Sequence, residues 1–322
     1  MKVLLHTLWI VPAIVILGFV TGRRLSAQTP TALGYERQRD VIYGRRSGLA
    51  LTMDVFTPKA EKNGAAIFFM VSGGFFSSVD AINPAFVEPF VKRGYTVFCV
   101  VHGSQPVFTV PDAVADVNRA VRYVRLNCAK FGVDPERFGV AGASAGGHLS
   151  LMLGCAGGPG DPQAKDPVDR ASSKVHAVAC FFPPSDFLNF GKEGNEMLGP
   201  FKHNLPFRPA FDHHVMDRAK GVFERITDEA KLREIEKSIS PIYFVSANSA
   251  PTLIIHGDKD TLVPIQQAEI FVARMKEAKT PAELIVRKGQ GHGWPTLLGD
   301  LALLADWFDK YLPAKVEVKK AG

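Results

Sequence analysis

The sequence predicts an α/β protein, a mostly parallel central sheet with helices on both faces. Continuous apolar runs that end in glycine or polar turns recur along the chain, among them "AAIFFMVSGG", "YTVFCVV", "RFGVAG", "VHAVACFF" and "APTLIIHG". Runs of this kind suit strands buried on both faces. Segments with apolar residues at helical spacing separate them, and strands alternating with helices imply a parallel sheet. The length of 322 residues, with 46% hydrophobic and 22% charged side chains, allows a sizeable core that needs neither metal nor disulfide scaffold.

The elements follow in order. "VIYGRRSGLALTMDVFTP" reads as two strands around a glycine turn, a hairpin whose strands are expected to run antiparallel to the rest. After "AAIFFMVSGG" a helical stretch is expected from Pro84 to Arg93, and then the buried strand "YTVFCVV". Between Asp112 and Phe131, Val114, Val117, Val121 and Val124 recur on one helical face, with Pro111 and Asp112 suited to the first turn. "RFGVAG" and the helix after Ser144 come next, followed by the strands "VHAVACFF" and "APTLIIHG", a helix from about Pro264 to Ala278, the last strand "AELIVRKG" and the amphipathic closing helix "LGDLALLADWFDKYL". Residues 186–240 break this rhythm. They are rich in Pro, Phe, His and charge, with one helical piece near Asp228 to Ile239 and no strand signal, and read as an inserted lid-like segment. One domain is therefore expected over residues 35–322.

Lys2 precedes an apolar stretch from Val3 to Val20, and small residues follow at Gly22 and Ala27. Residues 1–27 read as a signal peptide or, if uncleaved, a membrane anchor, which predicts an exported chain, periplasmic or extracellular, possible N-terminal membrane association included. The net charge is +6, but the basic pairs Arg23-Arg24, Arg45-Arg46 and Lys319-Lys320 form no stripe interleaved with aromatics, so nucleic acid is not an expected partner. Cys99, Cys128, Cys155 and Cys180 form no CxxC pair and read as small buried hydrophobes.

The chemistry is concentrated at "GVAGASAGGHL". Gly142-Ala143-Ser144-Ala145-Gly146 fits G-x-S-x-G between a strand and a helix, a sharp turn that lifts the serine hydroxyl at the carboxyl edge of the sheet. The free N–H groups of the following helix favour negative charge at the same spot. A serine needs a base to take its proton, and in this architecture the order is serine, acid, histidine. "HGDKDTLVP" supplies Asp258 and Asp260, and His292 in "GQGHGWP" is the histidine that follows them. Asp260 is the chosen acid, because it lies in the loop before the next helix, while Asp258 reads as a local cap of the turn. N–H donors for a developing oxyanion are expected from Ala145 and from "SGGFF", as Gly73, Gly74 and Phe75, with Gly73 also letting the loop approach.

Together "SGGFF", "GYTVFCV", "PDAVADVNRAVRYVR", "FGVDPERFGVAGASAGGHL", "HGDKDTLVP" and "GHGW" resemble the α/β-hydrolase fold and, within it, the bacterial esterases related to feruloyl and acetyl esterases, from about Val41 to Leu312. The resemblance implies a Ser144–His292–Asp260 triad and a carboxylesterase acting through an acyl-enzyme on a small-molecule or polysaccharide-linked ester, without cofactor or metal. Two departures border the pocket. The family's His-Gly-Gly is Ser72-Gly73-Gly74 here, which removes a histidine from the loop, and the family's Tyr-Arg pair after the neighbouring strand is replaced by "VHGSQP".

Rival readings fit less well. The turn does not match G-x-G-x-x-G, and no Gly-Lys-Ser/Thr follows it. A non-catalytic binding protein on the same fold conflicts with an intact serine, acid and histidine in order. A prolyl-peptidase-like exopeptidase would need an additional large domain. His102 reads as a pocket-edge or structural group, His148 as a packing or capping residue, and His213-His214 with Asp212 and Asp217 as a solvated loop rather than a metal site. Phe201, Phe207 and Phe211 read either as pocket lining or as anchors of the insertion.

Overall fold

A computed structural model of the chain describes residues 34–200 and 207–314; the expected leader at 1–27 and Phe201 lie outside the described residues. The strands are β1 (Tyr35–Arg46), β2 (Leu49–Pro58), β3 (Ala66–Met70), β4 (Thr96–Val100), β5 (Phe138–Ala143), β6 (Ala177–Phe181), β7 (His214–Asp217), β8 (Val222–Arg225), β9 (Thr252–Gly257) and β10 (Ala282–Arg287). The helices are α1 (Glu88–Val91), α2 (Val110–Leu126), α3 (Cys128–Phe131), α4 (Ala145–Ala156), α5 (Pro167–Arg170), α6 (Glu229–Ser238), α7 (Gln266–Glu277) and α8 (Leu297–Tyr311). Eight strands form one sheet in the order β1-β2-β4-β3-β5-β6-β9-β10.

Parallel pairing runs without a break from β4 through β3, β5, β6 and β9 to β10. The expectation for the leading hairpin needs correction. β2 is antiparallel to both β1 and β4, so β2 alone runs against the sheet, and β1, reversed once more, points the same way as the parallel strands. Helix α2 packs through the face that the periodicity marks, whereas α4 is buried continuously from Ala145 to Leu153. α2 buries Val117, Ala120, Val121 and Val124 and is closed at its start by a reciprocal Thr109–Asp112 capping box. Phe68, Val140, Leu149 and Phe271 belong to the core on one face of the sheet, and Phe90, Ile255, Leu304 and Phe308 to the core on the other.

Two further expectations change. The stretch Pro84 to Arg93 is not one helix but a 3-10 turn, Pro84–Phe86, followed by the single turn α1; Pro89, which has no N–H, interrupts a continuous ladder, whereas Pro84 stands at the first position, where no donor is needed. The insertion holds a hairpin, with β7 and β8 antiparallel and Met216 opposite Phe223. Its strands are short and both faces are exposed, so no buried alternation marks them in the sequence. α6 begins where expected, with the Asp228 side chain accepting from the Lys231 N–H. Phe187, Phe190, Phe207, Phe211 and Ile239 from the insertion form a third small core with Phe75, Val110, Ala145 and Val263. The insertion is thus seated over the carboxyl end of the sheet, where α/β folds bind ligands.

Candidate active site

β5 ends at Ala143, and the chain reverses into α4 within one residue. Ser144 carries that reversal at φ 55, ψ −120, a region that costs about 1–3 kcal/mol for a residue with a Cβ. The flanking glycines are steric necessities: a Cβ on Gly142 would collide with the Gly146 backbone, and one on Gly146 would meet the Met70 carbonyl at 2.5 Å. The Ser144 N–H donates to Phe181 O and its carbonyl accepts from His148 N, so both ends of the turn are fixed.

The loops after β9 and β10 converge on this serine. His292 Nε2 lies 2.9 Å from Ser144 Oγ, and His292 Nδ1 lies 2.7 Å from Asp260 Oδ2. A carboxylate only accepts, so Nδ1 carries the ring proton and Nε2 is the acceptor for the serine hydroxyl. Asp260 is buried, at 7% exposure. Its Oδ1 accepts from the N–H groups of Leu262 and Val263, both at 2.9 Å. His256 Nε2 stands 3.3 Å from Asp260 Oδ2 and 2.9 Å from the Val263 carbonyl. Burial works to raise the Asp260 carboxyl, but hydrogen bonds from His256 and His292, the nearby imidazole charge and the Val263 amide outweigh it and hold the group well below the carboxylate range. Asp258 turns away from His292 and accepts from Gly289 N at 2.6 Å, capping the turn after β10.

The loop after β3 completes the wall. Gly74 and Phe75 take φ 54 and 64, two consecutive residues in the positive-φ region. The Gly73 N–H donates to Phe76 O, and the Phe76 N–H donates back to Gly73 O. Gly73 is therefore excluded as an oxyanion donor; it shapes the loop, and Gly74, Phe75 and Ala145 remain as the candidate donors. Ala145 opens α4, where the first N–H groups have no partner within the helix.

Ser144, His292, Gly73 and Gly74 border a cavity of about 430 Å³ whose apolar lining includes Phe76, Phe182, Phe207 and Leu262. Phe207 both lines the cavity and belongs to the third core, whereas Phe211 is an anchor, buried against Phe75 and Phe187. Phe182 has its ring centroid 4.4 Å from that of His292, on backbone at φ 36. Sequence reasoning missed both Phe182, which carries no motif, and His256, which was visible within "HGDKD".

The other histidines have structural settings. His148 is fully buried, with Nε2 2.6 Å from the Ile239 carbonyl, and His213 faces the buried Glu236 at 3.4 Å. Among the described residues, no group of three or more His, Cys, Asp or Glu is arranged to hold a metal ion. Cys99 and Cys180 are buried, Cys128 and Cys155 are partly so, and all four are free thiols.

The chain is similar to several known proteins. Esterase LipQ of Mycobacterium tuberculosis is 28% identical over 260 residues, which cover 80% of this chain and 54% of LipQ. The chain spans about half to two thirds of the length of the curated relatives LipM, LipC and LipQ of Mycobacterium tuberculosis. A truncated carbohydrate esterase from gut microbiota superposes with a TM-score of 0.70 at 27% identity, covering 88% of this chain and 99% of that one. The native esterase Est2 of the Planctomycetes species Thermogutta terrifontis superposes with a TM-score of 0.66 at 25% identity, covering 89% and 97%. The BD-FAE family matches residues 53–275, a span that includes the serine turn and the Asp260 loop, and the chain belongs to this family of α/β-hydrolase esterases.

Proposed function

We propose that this chain is a serine carboxylesterase. The observation that carries the reading is the unbroken line of hydrogen bonds from Ser144 Oγ through His292 to Asp260 at the wall of an apolar cavity. Ser144 Oγ attacks the ester carbonyl while its proton passes to His292 Nε2. Asp260 keeps the imidazole in the required tautomer and stabilises its charged form. The amides of Ala145, Gly74 and Phe75 receive the carbonyl oxygen as it becomes negative. The tetrahedral intermediate collapses, His292 returns the proton to the departing alcohol, and an ester joins the acyl group to Ser144. Water, deprotonated by His292, then releases the acid and restores the serine.

The apolar lining favours an uncharged acyl or aryl group, and the names of the carbohydrate esterase and Est2 support an ester on a small molecule or a polysaccharide. The apolar stretch after Lys2 supports export of the chain. The reading is tested with p-nitrophenyl esters of graded chain length, acetylated xylan and feruloyl esters, together with a fluorophosphonate probe. Hydrolysis of at least one ester, with labelling confined to Ser144, is expected. A folded chain that hydrolyses none of them and takes no label refutes it.

A further inference from the structure

The candidate oxyanion loop is strained, and something must hold it. Phe75 sits at φ 64, in the left-handed region that a residue with a Cβ adopts only under constraint. Turning over the peptide between Gly74 and Phe75 would let that strain relax and would reverse the direction of the Phe75 N–H. Besides the Gly73–Phe76 pair within the loop, restraints come from the segment after β4.

Gln105 holds two consecutive carbonyls. Its Nε2 donates to Gly74 O at 2.5 Å and its backbone N–H donates to Phe75 O at 3.2 Å. In a planar trans peptide the carbonyl and the following N–H point in opposite directions. Tying Gly74 O back to Gln105 therefore turns the Phe75 N–H the other way. The side chain of Gln105 is 3% exposed and borders the cavity beside the serine.

His102 holds the root of the same loop. Its Nδ1 lies 2.8 Å from the Gly103 carbonyl, so this nitrogen carries the proton. Its Nε2 then accepts from the Ser72 hydroxyl at 2.8 Å. Burial pushes the His102 imidazole down to about 4, against a weaker opposing effect of the Gly103 carbonyl, so the ring is neutral and can accept at neutral pH. Ser72 is also tied through its carbonyl, which accepts from the Gly146 N–H of the serine turn. The His102 backbone N–H donates to Ser77 Oγ, whose hydroxyl donates to Val71 O, closing the loop at its other end.

We propose that His102, acting through Ser72, and Gln105, acting through the Gly74 carbonyl, are positioning residues that hold the amides of Gly74 and Phe75 toward the oxyanion. A histidine is missing from the loop itself, where Ser72 stands, and the end of the adjacent strand supplies one from across the sheet. The inference rests on the esterase reading above, because it concerns the oxyanion of that reaction.

The test is a double-mutant cycle between Ser72→Ala and His102→Ala, with Gln105→Leu measured separately. Each single variant is expected to lower kcat roughly 10–100-fold with KM changed less than about 3-fold, since an oxyanion contact strengthens only in the transition state. Affinity for an aryl boronic acid, which mimics the tetrahedral species, should fall by the same factor as kcat/KM. The double variant should be no worse than either single one, as for two groups acting through one bond. Ser72→Ala removes only a hydroxyl, so the cycle keeps a mild arm if His102→Ala misfolds. Folded Ser72→Ala and Gln105→Leu proteins with unchanged kcat and boronate affinity overturn this inference and leave the esterase reading intact. A folded wild-type chain inert toward every ester overturns both.

Discussion

His292 Nε2 lies 2.9 Å from Ser144 Oγ although 148 positions separate the two residues in the chain. The contact exists because β5 and β10 end at the same edge of the sheet, each handing its loop to a common point. Ser144→Ala removes the proposed nucleophile and leaves this scaffold in place. Turnover of p-nitrophenyl acetate should fall by at least about 10³-fold. The strained φ of 55 adds a second expectation. Ser144→Gly should be equally inactive and about 1 kcal/mol more stable than Ser144→Ala, because glycine adopts that backbone without a Cβ clash. Equal denaturation midpoints for the two variants would show that the turn carries no such strain.

Asp260 accepts from the Leu262 and Val263 amides on one oxygen and from the two imidazoles on the other. Asp260→Asn places an NH₂ group against donors on one side or the other. If it faces His292, the ring is driven to the wrong tautomer. A loss in kcat of ~10⁴-fold is expected, measured with KM on a soluble ester. The wild-type carboxyl is held below its ordinary range, so its contribution to stability is complete above the unfolded value of about 3.9 and lost as pH falls through the lower native value. The Asn variant should therefore be less stable than wild type at neutral pH, with the gap closing in strong acid.

Much of this site was legible in the sequence because each group sits in a short motif with a local physical reason. Gly142 and Gly146 leave room for the turn, and the spacing of Asp260 before Val263-Pro264 puts it in a loop. What was not legible depends on contacts across the sheet. The exclusion of Gly73 as a donor follows from its bridge to Phe76. The clasp from His102 to Ser72 joins the ends of β4 and β3, and the direction of β1 follows from pairing rather than composition. Hairpin β7–β8 escaped notice because, exposed on both faces, it carries no alternation to find.

His148 is fully buried beside the loop after β3, its ring centroid 5.5 Å from that of Phe75, and burial lowers it to about 4 against the opposing Ile239 carbonyl. His102 is lowered to about 4 in the same way. In the unfolded chain both titrate near 6.5. Between about 6.5 and 4 the unfolded state thus binds more protons, and stability falls as the pH is lowered through that window, flattening below it. Each group should contribute on the order of 2–3 kcal/mol to the stability lost across that window. His148→Gln, which keeps a donor for the Ile239 carbonyl, should flatten the pH dependence of urea unfolding between those limits. An unchanged slope would mean that His148 does not carry it.

Phe207 stands where the insertion meets the cavity, with its Cβ 3.3 Å from the point that a Cβ on Gly74 would occupy. Removing the ring has two effects. Phe207 is 6% exposed and belongs to the third core, so Phe207→Ala should destabilise the fold by about 3 kcal/mol. It also enlarges the apolar wall facing Ser144. Since a methylene in an apolar pocket discriminates by roughly 10–200-fold, the ratio of kcat/KM for octanoate over acetate esters should rise by about 10-fold or more. Phe76 borders the same cavity but is 54% exposed, so Phe76→Ala should shift selectivity with little change in stability. A Phe207→Ala protein that loses stability with its chain-length profile unchanged would assign the ring to the core alone.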